Sequence, residues 1–329
     1  LELTTIDSKT SVVVNASAIK DISGAAADLK TMYASKTISG LGNEAVTISD
    51  APASAKDANV ILKATSGVVT ASVTDTAANL VKGLTDAKAT DKLTLTVSAG
   101  TVTASDLKAL DAKTSVAVDA SSVTAITGTA ADVKTVLKAD GITLDKVTTG
   151  AVAVEVTGTV SAADANTIAK ATDGKVTATV AAGTAASLKA ALTDVTATDA
   201  LKLKVTGTAT VADLLALDGK TSIPVDAKSV TAITGTAAEF VELAKNTTFV
   251  DLSSTVAVTV IGAIDVAALN TIAGKTFGKV TATVEGSAAD LKNLTTASTD
   301  AITVKVTGAT AAAADLIAID KVTSVVVDA

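Results

Sequence analysis

The chain has 329 residues, of which 48% are hydrophobic, and carries a formal net charge of −7 at pH 7. It has no Cys, His, Arg, Trp or Gln, which excludes ordinary zinc, haem and iron–sulfur sites, imidazole bases, thiol nucleophiles and arginine clamps. An acidic chain with only one Tyr and three Phe lacks the positive charge and stacking platforms of nucleic-acid-binding proteins, and no apolar run is long enough to span a bilayer. We therefore expect no enzymatic activity, no nucleic-acid partner and no membrane span.

Short aliphatic runs with period-two alternation recur along the chain and predict β-strands. β-branched residues dominate these runs, as is usual in strands. Most of the runs follow one another at a nearly constant spacing, and one interval in each longer repeat is clearly longer than the rest. In chain order, the predicted strands lie at 12–14, 46–48, near 69, 93–97, 116–118, 152–156, 176–180, 201–205, 223–225, 256–260, 280–284, 302–306 and 325–327.

The segments between the strands share a pattern that predicts helices. In GTAADVKTVL, Thr129 and Asp132 resemble a capping box, with the acid where the helix dipole favours negative charge. Val133, Val136 and Leu137 then form the i, i+3, i+4 stripe of an amphipathic helix. The same pairing of a hydroxyl residue with an acid recurs at Thr103/Asp106, Ser161/Asp164, Thr210/Asp213, Thr236/Glu239 and Ser287/Asp290.

The resulting strand–turn–helix unit is about 24 residues long and occurs roughly twelve times. A helix that fits in such a unit is marginal alone, so each unit must bury its apolar face against the next. Crossovers of this length make the strands parallel and the connections right-handed. The sequence therefore predicts an α/β fold, an open right-handed β-α solenoid with a parallel sheet. A tandem array of immunoglobulin-like sandwiches and a layered βα domain are the alternatives.

A longer repeat of roughly 105 residues groups these units into three copies. It is marked by KTSVVVNAS at Lys9, KTSVAVDAS at Lys113, KTSIPVDAK at Lys220 and KVTSVVVDA at Lys321. We expect one continuous solenoid over residues 1–329. Its long repeats run over 9–112, 113–219 and 220–320, and 321–329 begin a fourth.

The longest interval of each copy differs from the other intervals. It carries an extra β-like piece, VTAIT, at Val123 and Val230, and it holds most of the large side chains, which we expect to fill a wider gap under the helix. These side chains are Met32, Tyr33, Phe240 and Phe249. Pro224 lies in a predicted strand without a backbone donor, which predicts an irregular strand there.

Three acids that follow a strand in the phrase VDA are the candidate metal ligands. Asp119, Asp226 and Asp328 could bind Ca²⁺, which prefers oxygen ligands. The alternative role, which we favour, is that of turn or cap residues, because the three acids are four units apart. No EF-hand loop or calcium-binding glycine-rich repeat is present. We expect no cofactor other than this possible calcium.

The phrases VDASSVTAITGTAADVKTVL and VSAADANTIAKATDGKVTATV resemble the Ala/Thr/Val-rich tandem repeats of very long secreted or cell-surface proteins of bacteria, especially marine cyanobacteria. Such repeats accompany surface-layer, adhesin and cell-surface motility proteins. The resemblance covers nearly the whole chain but carries no functional residues over. It implies an extracellular or cell-surface location and a structural role.

These observations favour a structural repeat protein that forms a filament, sheath, surface layer or stalk. An open parallel array has bare edges that recruit further strands, so we expect the chain to associate head to tail with itself or to belong to a longer parent chain. The predicted interface residues are Val12, Val14, Val325 and Val327. The alternative is an adhesin or ligand-binding module that uses the exposed strand face.

Overall fold

The computed structural model describes residues 2–145, 151–245, 250–276 and 278–328. Strands and helices alternate along the chain, which confirms the predicted α/β class. The chain forms two compact units, one of Leu1–Gly158 with Thr167–Lys175 and the other of Thr159–Asn166 with Val176–Ala329. The predicted single solenoid and its repeat boundaries stay predictions.

The helices are short, as expected for elements that depend on tertiary packing for their stability. They are α1 Glu2–Asp7, α2 Ala26–Ala34, α3 Ala55–Ala64, α4 Ala77–Gly83, α5 Ala104–Asp111, α6 Ala130–Lys138, α7 Ala162–Ala169, α8 Ala185–Ala191, α9 Val211–Asp218, α10 Ala237–Lys245, α11 Val266–Ala273, α12 Ala288–Leu291 and α13 Ala313–Asp320.

The strands are rich in Val, Ile and Thr, and most of them alternate buried and accessible residues. They are β1 Val14–Asn15, β2 Asp21–Gly24, β3 Ile38–Ser39, β4 Ala45–Ile48, β5 Val69–Asp75, β6 Lys92–Val97, β7 Gly100–Thr103, β8 Val118–Asp119, β9 Val123–Gly128, β10 Ile142–Thr143, β11 Ala153–Val160, β12 Val176–Val180, β13 Ala200–Lys202, β14 Lys204–Thr210, β15 Val225–Thr236, β16 Val250–Leu252, β17 Ala257–Ile264, β18 Val280–Gly286 and β19 Ala301–Val306.

In the first unit, β10, β8, β6, β5, β4 and β2 form a six-stranded sheet in that order. β1 pairs with β3, and β9 pairs with both β7 and β11. The β5–β6 register runs from Thr70 opposite Lys92 to Asp75 opposite Val97. In the second unit, β12 pairs with β13, and β14, β15, β17, β18 and β19 follow one another in a second six-stranded sheet that β16 joins through β15.

All strand pairs recorded among the described residues are parallel. Parallel pairs require crossovers, and here a helix supplies most of them. An immunoglobulin-like sandwich is built from antiparallel sheets, so that alternative is wrong.

The predicted caps are confirmed. The Thr129 hydroxyl accepts a hydrogen bond from the Asp132 amide at the start of α6. Thr236 and Glu239 form a reciprocal box, in which the Thr236 amide donates to the Glu239 carboxylate at 2.7 Å. Each such cap contributes about 1 kcal/mol to helix stability. The other predicted caps are also made, at Thr103, Ser161, Thr210 and Ser287.

The core lies between each sheet and its helices. Val133, Val136 and Leu137 are at most 3% exposed, which confirms the predicted apolar stripe of α6. In the second unit, Leu214 and Leu217 of α9 are fully buried. The buried strand residues face the helices. The accessible Thr, Ser and Lys side chains of the strands lie on the other face of the sheets.

Large side chains of the long intervals enter the core as predicted, with Met32 at 1% and Phe240 at 5% exposure. Tyr33 is half-buried, and Phe249 lies outside the described residues. The VTAIT segments form β9 and the middle of β15. Pro224 stands immediately before β15, whose register with β14 shifts twice, as expected for an irregular strand.

The predicted strands at 12–14, 116–118 and 223–225 begin too early. The structure starts β1 at Val14, β8 at Val118 and β15 at Val225. In the last two cases the backbone amide at the start of the predicted strand donates to a threonine hydroxyl two residues earlier, so it does not pair with a neighbouring strand. These bonds run from Val116 to Thr114 and from Ile223 to Thr221. The strand predicted at 325–327 is wrong, since of the described residues there only Asp328 makes an isolated bridge.

Candidate functional site

A threonine bridge joins consecutive strand–helix units at one position of each copy. The Thr114 hydroxyl donates to the Leu93 carbonyl at 2.7 Å and accepts from the Leu93 amide at 3.0 Å. The hydroxyl therefore satisfies the two backbone groups that a neighbouring strand would otherwise bond. Thr221 makes the same pair of bonds with Leu201, and Thr323 makes them with Ile302.

A second threonine bridge is followed by a glycine two positions later. The Thr172 hydroxyl donates to the Val152 carbonyl at 2.9 Å and accepts from the Gly174 amide at 3.0 Å. A Cβ at Gly174 would lie 2.2 Å from that same carbonyl oxygen, so only glycine fits. In the same way, the Thr65 hydroxyl bonds the Glu44 carbonyl and the Gly67 amide. The Thr276 hydroxyl bonds the Val256 carbonyl and the Gly278 amide.

Buried aspartates form a third recurring contact. Asp199 is 4% exposed, and its two carboxylate oxygens accept from the Val176 and Thr196 amides at 2.8 and 2.9 Å. The carboxylate thereby ties the turn before β13 to the start of β12. Asp91 and Asp300 hold the equivalent positions. Asp91 accepts from the Val69 and Lys88 amides, and Asp300 accepts from the Val280 and Ala297 amides.

Asparagines on every fourth helix make a fourth recurring contact. The Asn166 amide group donates to the Asp194 carboxylate at 2.7 Å, while its oxygen accepts from the Asp194 backbone amide at 2.7 Å. Asn59 bonds Asp86 in the same way, and Asn270 bonds the Asn293 carbonyl and the Thr295 amide. Each asparagine fixes the turn that follows the next helix.

Ion pairs also link neighbouring helices. Lys189 at the end of α8 lies 2.7 Å from Asp213 in the first turn of α9. The bond from Lys189 holds the pKa of Asp213 below its usual range. Pairs of the same kind join Lys30 with Asp57, Lys108 with Asp132, and Lys292 with Asp315.

The two kinds of threonine bridge, the buried aspartates and the asparagines all bond the backbone or a turn of a neighbouring strand–helix unit. We call these four kinds of contact the interunit network. Each contact recurs once per copy, with the spacing of the predicted long repeat. The phrase KTSV marks the repeat in the sequence, but the bonds of its threonine are visible only in the structure. Aligning the three copies would have found the other members, since Thr65, Thr172 and Thr276 then coincide.

Copy 1 differs from the others at one buried polar pair. Tyr33 donates its hydroxyl hydrogen to Glu44, whose other carboxylate oxygen accepts from the Gly42 amide at 2.7 Å. Burial, followed by the bond to and charge of Glu44, raises the pKa of Tyr33. Burial opposes ionisation of Glu44 too, but the bonds from Tyr33 and from backbone amides outweigh it and lower its pKa.

The candidate calcium ligands are engaged in local contacts. Asp119 accepts from the hydroxyl and the amide of Ser121, and these bonds lower its pKa. Asp226 accepts from the Lys228 amide, and Asp328 joins β19 through a bridge to Lys305. Among the described residues, no three His, Cys, Asp or Glu side chains are grouped to hold a metal ion. Asp119 is the last residue of β8, Asp226 is the second residue of β15, and Asp328 makes an isolated bridge.

The four predicted interface valines occupy two equivalent positions in the first and last helix–strand units, residues 2–16 and 313–328. Val14 and Val327 are half-buried, whereas Val118 and Val225, which hold the same position inside the repeats, are fully buried. Val12 is 70% exposed and Val325 is half-buried. Within the described ranges, β1 has one strand partner, β3.

No helix in the described part of the chain combines the length and apolarity needed to cross a bilayer. Comparison of the chain with models of known protein families, with curated proteins and with solved structures found no match.

Proposed function

We propose that this chain is a structural repeat protein, in which the strand–helix units stack into an open right-handed solenoid. The observation that carries the proposal is the interunit network. The same Thr, Asp and Asn side chains bond the backbone or a turn of another unit in each copy, so the polar residues that recur are used to hold units together.

The distribution of exposed apolar side chains supports association at the ends. Eight large apolar side chains are exposed in the described residues. Five of them lie in the first or last strand–helix unit, residues 2–16 and 313–328. These five are Ile6, Val12, Val13, Ile317 and Val326. Apolar surface concentrated in this way marks an interaction site. The last strand–helix unit also repeats the first in sequence. Among the described residues β1 has one strand partner, β3, whereas the equivalent β8 pairs with both β6 and β10.

We infer that the chain extends end to end, either with further copies of itself or within a longer parent chain, as part of an extracellular filament, sheath, stalk or surface layer. Head-to-tail contacts that do not close generate filaments. Val12, Val14, Val325 and Val327 form the proposed interface, and no catalysis is part of this function.

Negative-stain electron microscopy of the purified chain, with and without millimolar Ca²⁺, tests the proposal. We expect filaments or lattices that thicken or lengthen as protein concentration rises, and that are lost in Val12→Lys. Isolated particles at every concentration would contradict end-to-end association of this chain. Assembly only with Ca²⁺ would return Asp119, Asp226 and Asp328 to consideration as ligands.

A further inference from the structure

The second compact unit, which contains residues 176–329, has an apolar cavity of about 260 Å³ beneath α10. Phe240 and Ala244 of α10, Ile272 of α11, and Val256 and Val258 at β17 lie in its wall. Its polar lining includes Ser254 and Lys275, both of which are exposed to solvent. The cavity is thus apolar inside with a polar mouth, the usual character of a small-ligand site.

The repeat explains why this cavity exists in copy 3. Counted from the first residues of α2, α6 and α10, Ala244 holds the position of Tyr33 in copy 1 and Leu137 in copy 2. By the register of the second threonine bridge, Val256 holds the position of Glu44, whose carboxylate accepts from Tyr33 in copy 1. A small side chain therefore stands where the other copies place a large one, and the described residues leave space beneath the helix.

The same comparison singles out Lys275. By the register of the threonine bridges, its equivalents are Ala64 and Ala171, so copy 3 alone places a cation beside this space. No ion pair of the Lys275 ammonium is found in the described ranges. The Ser254 hydroxyl is likewise unbonded there. An unpaired ammonium and a hydroxyl at the mouth of an apolar cavity are complementary to a carboxylate that bears an alkyl chain.

We propose that this cavity binds a medium-chain alkyl carboxylate, with the chain against Ala244 and Val256 and the carboxylate at Lys275 and Ser254. The proposal is independent of the structural function, because binding needs no assembly. It follows from two replacements found in copy 3 alone, a large side chain by Ala244 and an alanine by Lys275.

Octanoate titrated into the protein, followed by calorimetry and by methyl NMR shifts, tests the proposal. We expect shifts of the Ala244, Val256 and Ile272 methyls. Ala244→Leu, which restores the side chain of copy 2, should abolish binding. Lys275→Ala should weaken octanoate binding by up to about fivefold, as expected for an exposed charge pair, and leave octanol binding unchanged.

Lys279→Ala is the matched control, because Lys279 is exposed nearby but does not line the cavity. It should bind octanoate as the unmodified chain does. Three results would each overturn the proposal: no octanoate binding, methyl shifts confined to other regions, or undiminished binding by Ala244→Leu. Equal loss of octanoate and octanol binding in Lys275→Ala would overturn the assignment of the carboxylate to Lys275.

Discussion

The Thr114 hydroxyl bonds both backbone groups of Leu93, donating to the carbonyl and accepting from the amide. Both residues are buried, so water cannot replace these bonds. We expect Thr114→Val to lower the free energy of unfolding by about 1–3 kcal/mol, since it leaves both Leu93 groups unsatisfied. Thr114→Ser keeps the hydroxyl and should cost less.

Chemical denaturation followed by circular dichroism measures this difference. Thr94→Val is the control, because Thr94 is exposed in β6 and Val is an equally good strand residue. Thr94→Val should change stability by less than about 0.5 kcal/mol. Equal stability of Thr114→Val and Thr94→Val would show that the threonine bridge does not stabilise the fold.

Gly174 provides a steric test of the second threonine bridge. Because a Cβ there would meet the Val152 carbonyl oxygen at 2.2 Å, the backbone must shift in Gly174→Ala. We expect a loss of about 3 kcal/mol, comparable to severe overpacking. Gly219→Ala is the control, since Gly219 has φ −65° at the end of α9 with no close neighbour.

Thermal melts should place the Gly219→Ala midpoint at or above that of the unmodified chain, because alanine reduces the entropy of the unfolded state. Similar midpoints for Gly174→Ala and Gly219→Ala would refute the close approach of the two chain segments.

Tyr33 is the single tyrosine of the chain, so near-ultraviolet absorbance reports its ionisation directly. Its pKa in the folded protein should lie above the ordinary value of 10.0. A group whose folded pKa is raised contributes stability that is complete below the unfolded pKa and is lost as pH rises through the folded pKa. The tyrosine should therefore stay protonated above pH 10.0 until alkali unfolds the chain.

Glu44→Gln removes the charge that opposes phenolate formation, so it should move the pKa of Tyr33 down towards the ordinary value. In denaturant both proteins should titrate alike. Normal titration of Tyr33 in the folded, unmodified chain would contradict the Tyr33–Glu44 contact.

The ion pair between Asp213 and Lys189 should make the stability of the fold depend on pH. Its pKa is lowered mainly by Lys189, so its contribution is present above the unfolded pKa near 3.8 and is lost as pH falls through the folded pKa. Asp213→Asn should lower stability by about 0.5–1 kcal/mol at neutral pH, a modest effect because the lysine is nearly half exposed. The difference from the unmodified chain should vanish in strong acid.

Unfolding curves at neutral pH and in strong acid test this prediction. Asp21→Asn is the control, since Asp21 is exposed in β2 and makes none of the recorded ion pairs. It should change little at either pH. A constant difference between Asp213→Asn and the unmodified chain at all pH values would contradict an electrostatic contribution.

Periodicity was sufficient to predict the alternation of strands and helices, the parallel pairing and the caps, because these depend on local patterns such as Thr129 followed by Asp132. The interunit network depends on pairs that are distant in sequence, such as Asp199 with Val176, which a local pattern does not reveal. The cavity was missed for a similar reason, since Ala244 is informative only when it is aligned with Tyr33 and Leu137.

The most direct test of end-to-end association is the molar mass of the purified chain measured by light scattering over a concentration series. We predict a mass that rises with concentration above the 32.1 kDa monomer. The double variant Val12→Lys with Val325→Lys should stay monomeric. Val60→Lys, which changes an exposed valine of α3, should associate as the unmodified chain does. A constant monomer mass of the unmodified chain at every concentration, or equal association of the double variant, would contradict the proposed interface.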